Sequence, residues 1–148
     1  MTHLFAGWGF KSDATQQSFS DCWTQACQRL LPLGSRRCSW TFAMLSSRGH
    51  TSAAIALQDW AALTLLRPRW RTYQDTEVRH MATPSASERL LQRFATGSVS
   101  EALALRAGAE QAGSELLWPR LVSADRRATL AIAGLIPLSS PFTTGASS

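Results

Sequence analysis

His3-Leu4-Phe5-Ala6-Gly7-Trp8-Gly9, then Asp13 and a run to Leu31, then Cys38-Ser39-Trp40-Thr41-Phe42-Ala43-Met44-Leu45, is the stretch that decides the fold. Its first piece is short, apolar and glycine-containing, and reads as a buried strand. Asp13 offers an N-cap, and Phe19, Trp23, Ala26, Cys27, Leu30 and Leu31 follow the three-and-four spacing of one helix face. Pro32 and Gly34 close that helix. In the third piece Trp40, Phe42 and Met44 alternate with Ser39, Thr41 and Ala43, the period of a strand. Strand, helix and strand in this order predict a parallel pair joined by a crossover helix.

Downstream the alternation continues. Ser46-Ser47-Arg48-Gly49-His50 is a polar loop, and Thr51 or Ser52 caps a helix to about Leu66. Pro68 stops helical continuation, and Arg69 to Tyr73 makes a short third strand. Asp75 caps a single turn through Met81, and Thr83-Pro84-Ser85 turns into a helix from Ser85 to about Ala95. Ser98-Val99-Ser100-Glu101 is a capping box that starts a helix to about Ala107, closed by Gly108. Glu115 to Val122 and Ala128 to Leu135 are two more strands, and the short link between them demands an antiparallel hairpin. The expected architecture is α/β: a single three-layer α/β/α domain with a mixed, mostly parallel sheet of about five strands. It occupies residues 1–136, followed by a loose Ser/Thr/Pro/Gly-rich tail at 137–148.

Composition narrows the function. A chain of 148 residues makes one domain, and 45% hydrophobic with 17% charged residues excludes a disordered one. No apolar run approaches the roughly 20 residues of a membrane span, and the N-terminus lacks the basic start of a signal peptide. A cytoplasmic protein without membrane contact is expected. Fifteen basic residues against ten acidic ones give a net charge of +5, and all the basic residues but Lys11 are arginine. Guanidinium pairs with carboxylate and phosphate alike. The arginines are scattered rather than gathered in one tract, so nucleic acid is not the favoured partner. Cys22, Cys27 and Cys38 read as reduced thiols, and the spacing of five between the first two points them to different faces of a helix. No structural metal and no cofactor is expected.

In an open α/β sheet, ligands bind beyond the carboxyl ends of the strands. Two loops fall there. Gly7-Trp8-Gly9-Phe10-Lys11-Ser12-Asp13 combines glycines that admit close backbone approach with one lysine, although it is neither a dinucleotide fingerprint nor a P-loop. Ser46 to Thr51 adds hydroxyls, Arg48 and His50, and His50 beside Ser46 or Ser47 is a candidate for nucleophilic chemistry. Arg67, Arg69, Trp70 and Arg71 interleave charge with an aromatic ring, a pattern equally suited to a planar anion and to a half-solvated strand. Glu101 has the N3 place of the capping box and is also a candidate general base. The six tryptophans suit a core or a ligand wall.

Several of these segments occur together in a known order. Gly7-x-Gly9 with Ser12 and Ala14, Thr83-Pro84-Ser85, Gly97-Ser98-Val99-Ser100-Glu101-Ala102-Leu103-Ala104-Leu105, Glu115-Leu116-Leu117-x-Pro119-Arg120, Ser123, and Ala128-Thr129-x-Ala131-Ile132-Ala133 follow one another. This resembles the CobE family, which is similar to the C-terminal domain of CbiG, over about residues 3–134. The resemblance implies a three-layer α/β/α fold and a role in the precorrin stage of cobalamin synthesis. It implies as partner a corrin-ring intermediate bearing many carboxylates, alongside other enzymes of that pathway. Loop position and the resemblance together place on the ligand Gly7, Gly9, Lys11, Ser12, Ser47, Arg48, His50, Thr83, Ser85, Gly97, Ser98 and Glu101. CbiG-type proteins open a lactone on the ring, which would cast His50 or Glu101 as general base. They carry further regions absent here, and Arg48-Gly49-His50-Thr51 replaces their usual lysine- and acid-containing stretch.

Overall fold

The computed structural model describes residues 2–30, 38–64, 66–78, 99–111 and 113–135. Strand β1 (Thr2–Phe10) runs up the middle of the sheet. Its side chains alternate: Leu4, Ala6 and Trp8 enter one core and Phe5 the other. Helix α1 (Gln16–Leu30) then buries Phe19, Cys22 and Ala26, one stripe at three-and-four spacing, against the first of those cores. The helix begins three residues after Asp13, and Asp13 is paired instead with Arg127 at 3.4 Å.

Strand β2 (Cys38–Leu45) lies parallel to β1, with Thr2 opposite Cys38 and Gly7 opposite Ala43. A 3-10 turn at Ser46–Arg48 leads to Thr51, whose hydroxyl accepts the Ala54 amide at 3.1 Å and so caps α2 (Ser52–Leu63). Helix α2 buries Ala53, Ala54, Leu57, Trp60 and Ala61 on the same face as α1. Strand β3 (Arg69–Tyr73) is parallel to β2. The single turn α3 (Asp75–Val78) follows, and Asp75 is its first residue rather than its cap. Glu77 there accepts the Gln74 amide at 3.0 Å, closing the turn from within.

Helix α4 (Val99–Gly108) begins where the capping box places it, and lies with α3 on the opposite face of the sheet. It is apolar nearly all round: Ala102, Leu103, Ala104 and Ala107 are buried over Phe5, Ala43, Ala131 and Ala133. Strands β4 (Glu115–Val122) and β5 (Ala128–Gly134) form the antiparallel hairpin, and β5 docks antiparallel to β1. The sheet order is β3-β2-β1-β5-β4. The fold is the expected three-layer α/β/α domain with a mixed sheet of five strands, three of them parallel. The turn at 83–85, the helix from Ser85 to Ala95, and the tail at 137–148 lie outside the described residues.

The first core is aromatic. Trp8 meets Phe19, Phe42 and Trp60 edge to face at centroid distances of 5.4–5.7 Å, and Trp23 meets Trp40 at 4.8 Å. Trp70 leans on Phe42 at 5.5 Å from the outer strand. Four of the six tryptophans, Trp8, Trp23, Trp40 and Trp60, therefore pack on one another between the sheet and the α1/α2 layer, which answers the choice between core and ligand wall in favour of core for those four.

Candidate functional site at the carboxyl edge of the sheet

Parallel pairing brings the residues after β1, β2 and β3 to one edge, and the antiparallel β4–β5 turn arrives at the same edge. Phe10 is opposite Ala128, so Lys11 sits beside that turn and its amide donates to the Arg127 carbonyl at 2.9 Å. Around this edge stand Lys11 and Ser12, the 3-10 turn with Ser47 and Arg48, His50, the start of α4, and Ser123 to Arg127.

Gly7 and Gly9 lie inside β1, not in a loop beyond it, because the strand runs on to Phe10. They face α4. A Cβ on Gly7 would land on the Ser100 carbonyl oxygen and 2.5 Å from the Ala104 nitrogen, and one on Gly9 would stand 2.7 Å from Thr129 Oγ1. The Gly-x-Gly pattern thus lets a helix, rather than a phosphate, approach the strand backbone. Trp8 between them points into the aromatic core. Lys11 and Ser12 are exposed at the strand end.

The Ser47 hydroxyl donates to Asp75 at 3.4 Å, tying the loop after β2 to the first residue of α3. The Arg48 carbonyl accepts both the amide and the hydroxyl of Thr51, at 3.1 and 2.7 Å, so the loop is held by the cap of the next helix. His50 is exposed, and among the described residues no hydrogen bond joins it to Ser46 or Ser47. The arrangement lacks the oriented base that a serine nucleophile needs. Thr83, Ser85, Gly97 and Ser98 lie outside the described residues.

Glu101 is fully buried. Strand β4 changes register on β5 between Leu116 and Trp118 and again between Trp118 and Leu121. Pro119 has no amide to offer in that irregular stretch, and the Arg120 amide turns inward to donate to Glu101 Oε2 at 3.0 Å. The carboxylate therefore serves the main chain of the outermost strand.

The hairpin turn carries a polar cluster whose partners the sequence did not reveal. Asp125 accepts from the Ser123 and Ser18 hydroxyls, both at 2.6 Å, and from the Arg127 amide at 3.0 Å. Those donors, Ser123 foremost, hold its carboxyl at about 2, below the ordinary 3.8. The cluster pins the turn to the start of α1. Arg126 occupies the left-handed region at φ 60°. Among the described residues no ion pair engages Lys11, Arg48 or Arg126, so three cations at this edge are uncommitted. Arg69 and Trp70, read above as one interleaved cluster, are separated by strand alternation onto opposite faces, since Trp70 meets Phe42.

Cys22 is buried, its thiol directed to the Ala128 carbonyl at 3.5 Å, and desolvation with neighbouring Asp21 and Asp125 pushes it up to about 12. Among the described residues no three His, Cys, Asp or Glu side chains gather as metal ligands, and no helix is long and apolar enough to cross a membrane.

The chain is thus a three-layer α/β/α domain with a five-stranded mixed sheet, whose carboxyl edge carries Lys11, Arg48 and Arg126 beside Asp13, Asp75 and Asp125. The family model "Cobalamin synthesis G C-terminus" matches residues 4–133, and the chain belongs to that family. Its fold is similar to the crystal structure of CobE, a protein from the cobalamin (vitamin B12) biosynthetic pathway, with 22% identity and a TM-score of 0.63 over 91% of this chain and 92% of that one. It is also similar to the cobalamin biosynthesis protein chiG from Agrobacterium tumefaciens str. C58, with 23% identity and a TM-score of 0.58 over 90% of this chain and 99% of that one. No curated protein sequence matches the chain.

Proposed function

We propose that this protein of the cobalamin-synthesis G C-terminal family holds a polycarboxylate corrin-ring intermediate at the carboxyl edge of its sheet, for conversion by or transfer to another enzyme of the pathway. The observation that carries this reading is that Lys11, Arg48 and Arg126, none of them ion-paired among the described residues, stand at one edge of the sheet with the hydroxyls of Ser12 and Ser47. Carboxylate arms radiating from a ring would meet several such donors at once. Thr83, Ser85, Gly97 and Ser98 belong to the same proposal through the family resemblance alone. Gly7 and Gly9 contribute indirectly, by seating α4. The burial of Glu101 against a main-chain amide and the exposure of His50 favour binding over hydrolysis.

The test is an absorbance and tryptophan-fluorescence titration of the full chain with hydrogenobyrinic acid, with the mixture followed by mass spectrometry. Saturable binding that Lys11→Ala and Arg48→Ala each weaken at least threefold, with the ligand mass unchanged, is expected. No binding, or binding indifferent to both substitutions, would overturn the site. A time-dependent change of ligand mass would replace the carrier reading with catalysis.

A further inference from the structure

Arg69 and Arg71 stand two residues apart on β3, so both project from the sheet face that carries α4, about 7 Å from one another along the strand. Register sets Thr41 of β2 beside Arg69, and Ser39 beside His3 of β1. With the C-terminal end of α4, these side chains line a pocket of about 310 Å³. It lies at the amino ends of the parallel strands, the edge opposite Lys11 and Arg48. That volume is at the small end of ligand pockets, which run from about 300 to 1,000 Å³.

The lining charges do not cancel. Glu110 reaches Arg71 at 3.6 Å, but both side chains are about half exposed, so water screens the pair. Arg69 engages no carboxylate among the described residues. One uncommitted guanidinium, a second one loosely held, two hydroxyls and an imidazole therefore face the same space. Guanidinium donates two parallel N–H bonds to a carboxylate, and the Thr41 and Ser39 hydroxyls in the lining are further hydrogen-bond donors. Glu110 is the built-in rival for Arg71.

We propose that this pocket is a carboxylate-binding site, distinct from the carboxyl-edge site and independent of it. Its occupant is either a free small polycarboxylate or one carboxylate arm of a larger polycarboxylate; the chemistry of recognition is the same. Arg69 is the principal anchor, Arg71 the second, and Glu110 sets the affinity by competing with the ligand.

Calorimetric titration of the full chain with citrate, and separately with hydrogenobyrinic acid, tests this. Arg69→Ala, at an exposed position, is expected to weaken binding at least tenfold with an unchanged melting temperature. Glu110→Gln is expected to tighten it about threefold or more, a gain that misfolding cannot mimic. Lys11→Ala is expected to leave citrate binding unchanged, which separates this pocket from the other edge. Arg69-dependent binding of citrate identifies the free acid as occupant, whereas Arg69-dependent binding of the corrin acid alone identifies a tethered arm. If neither ligand binds in an Arg69-dependent way, or if Glu110→Gln weakens binding, the proposal fails, whatever Lys11→Ala and Arg48→Ala do to corrin binding.

Discussion

Replacing Gly7 by alanine adds one methyl group where β1 and α4 touch through their backbones. The methyl would overlap the Ser100 carbonyl oxygen and stand 2.5 Å from the Ala104 nitrogen and 3.0 Å from the Leu103 Cβ. Ordinary contact begins at 3.4 Å, and helix backbone cannot rotate aside, so α4 must withdraw by about 0.9 Å or more. A gap of that size forfeits about a quarter to a half of the dispersion well for each facing atom pair. The loss falls on Ala102, Leu103, Ala104 and Ala107 where they cover Phe5, Ala43, Ala131 and Ala133. The same shift stretches the 3.0 Å bond between Glu101 and the Arg120 amide beyond hydrogen-bond range, worth about 1 kcal/mol more. With overpacking at the upper end of its usual range, about 3 kcal/mol, the expected destabilisation is about 3–4 kcal/mol.

Urea unfolding followed by tryptophan fluorescence and far-ultraviolet circular dichroism measures it. With a slope of about 2 kcal/mol per molar, the midpoint should fall by about 1.5–2 M. Gly49→Ala is the control. Its backbone is helical at φ −63° and ψ −19°, its nearest obstacle is the Ser46 oxygen at 3.4 Å, and it should stay within about 0.5 kcal/mol of the parent. If Gly7→Ala proves no less stable than Gly49→Ala, the close approach of helix to strand is not what that glycine provides.

Glu101→Ala should cost about 2–4 kcal/mol in the same assay, because it leaves a cavity and strands the Arg120 amide, whereas Glu101→Gln keeps an acceptor and should cost about 1 kcal/mol; equal losses would contradict the hydrogen-bonding role. Asp125, held at about 2 against an ordinary 3.8, contributes stability above its unfolded value that drains away as pH falls from about 4 toward 2. Asp125→Asn should accordingly flatten that part of the acid-unfolding profile, and an unchanged slope would show that the hydroxyl donors do not hold the carboxylate. Brief alkylation of the native protein at pH 8 should label exposed Cys27 and spare Cys22, whose thiol is buried and pushed up to about 12. Peptide mapping that finds Cys22 labelled before unfolding would refute its burial.

Much of the fold was legible because its signals are local. Alternation in Cys38 to Leu45 and the stripe of Phe19, Cys22 and Ala26 depend only on neighbours along the chain, as does the Thr51 cap. Boundaries were less so: Gln16 rather than a residue next to Asp13 opens α1, since Asp13 finds Arg127 across the hairpin turn. The site was harder to read. A Gly-x-Gly near a strand end has the same local appearance whether a phosphate or a helix approaches it, and the helix that approaches lies about ninety residues further along the chain. Arg69, Trp70 and Arg71 look like one cluster until strand pairing turns the ring away from the two guanidiniums.

The sequence by itself therefore determined the strands, most of the helices and the α/β class, because period, capping and turn chemistry act within a few residues, and the order of its matching segments carried the family resemblance. Which helix lies on the central glycines, which strand amide the Glu101 carboxylate serves, and which of the described arginines stand without an ion pair among the described residues were decided only by the tertiary structure. Each of those depends on groups distant in the chain meeting across the sheet, where distance and burial, not residue type, select the partner.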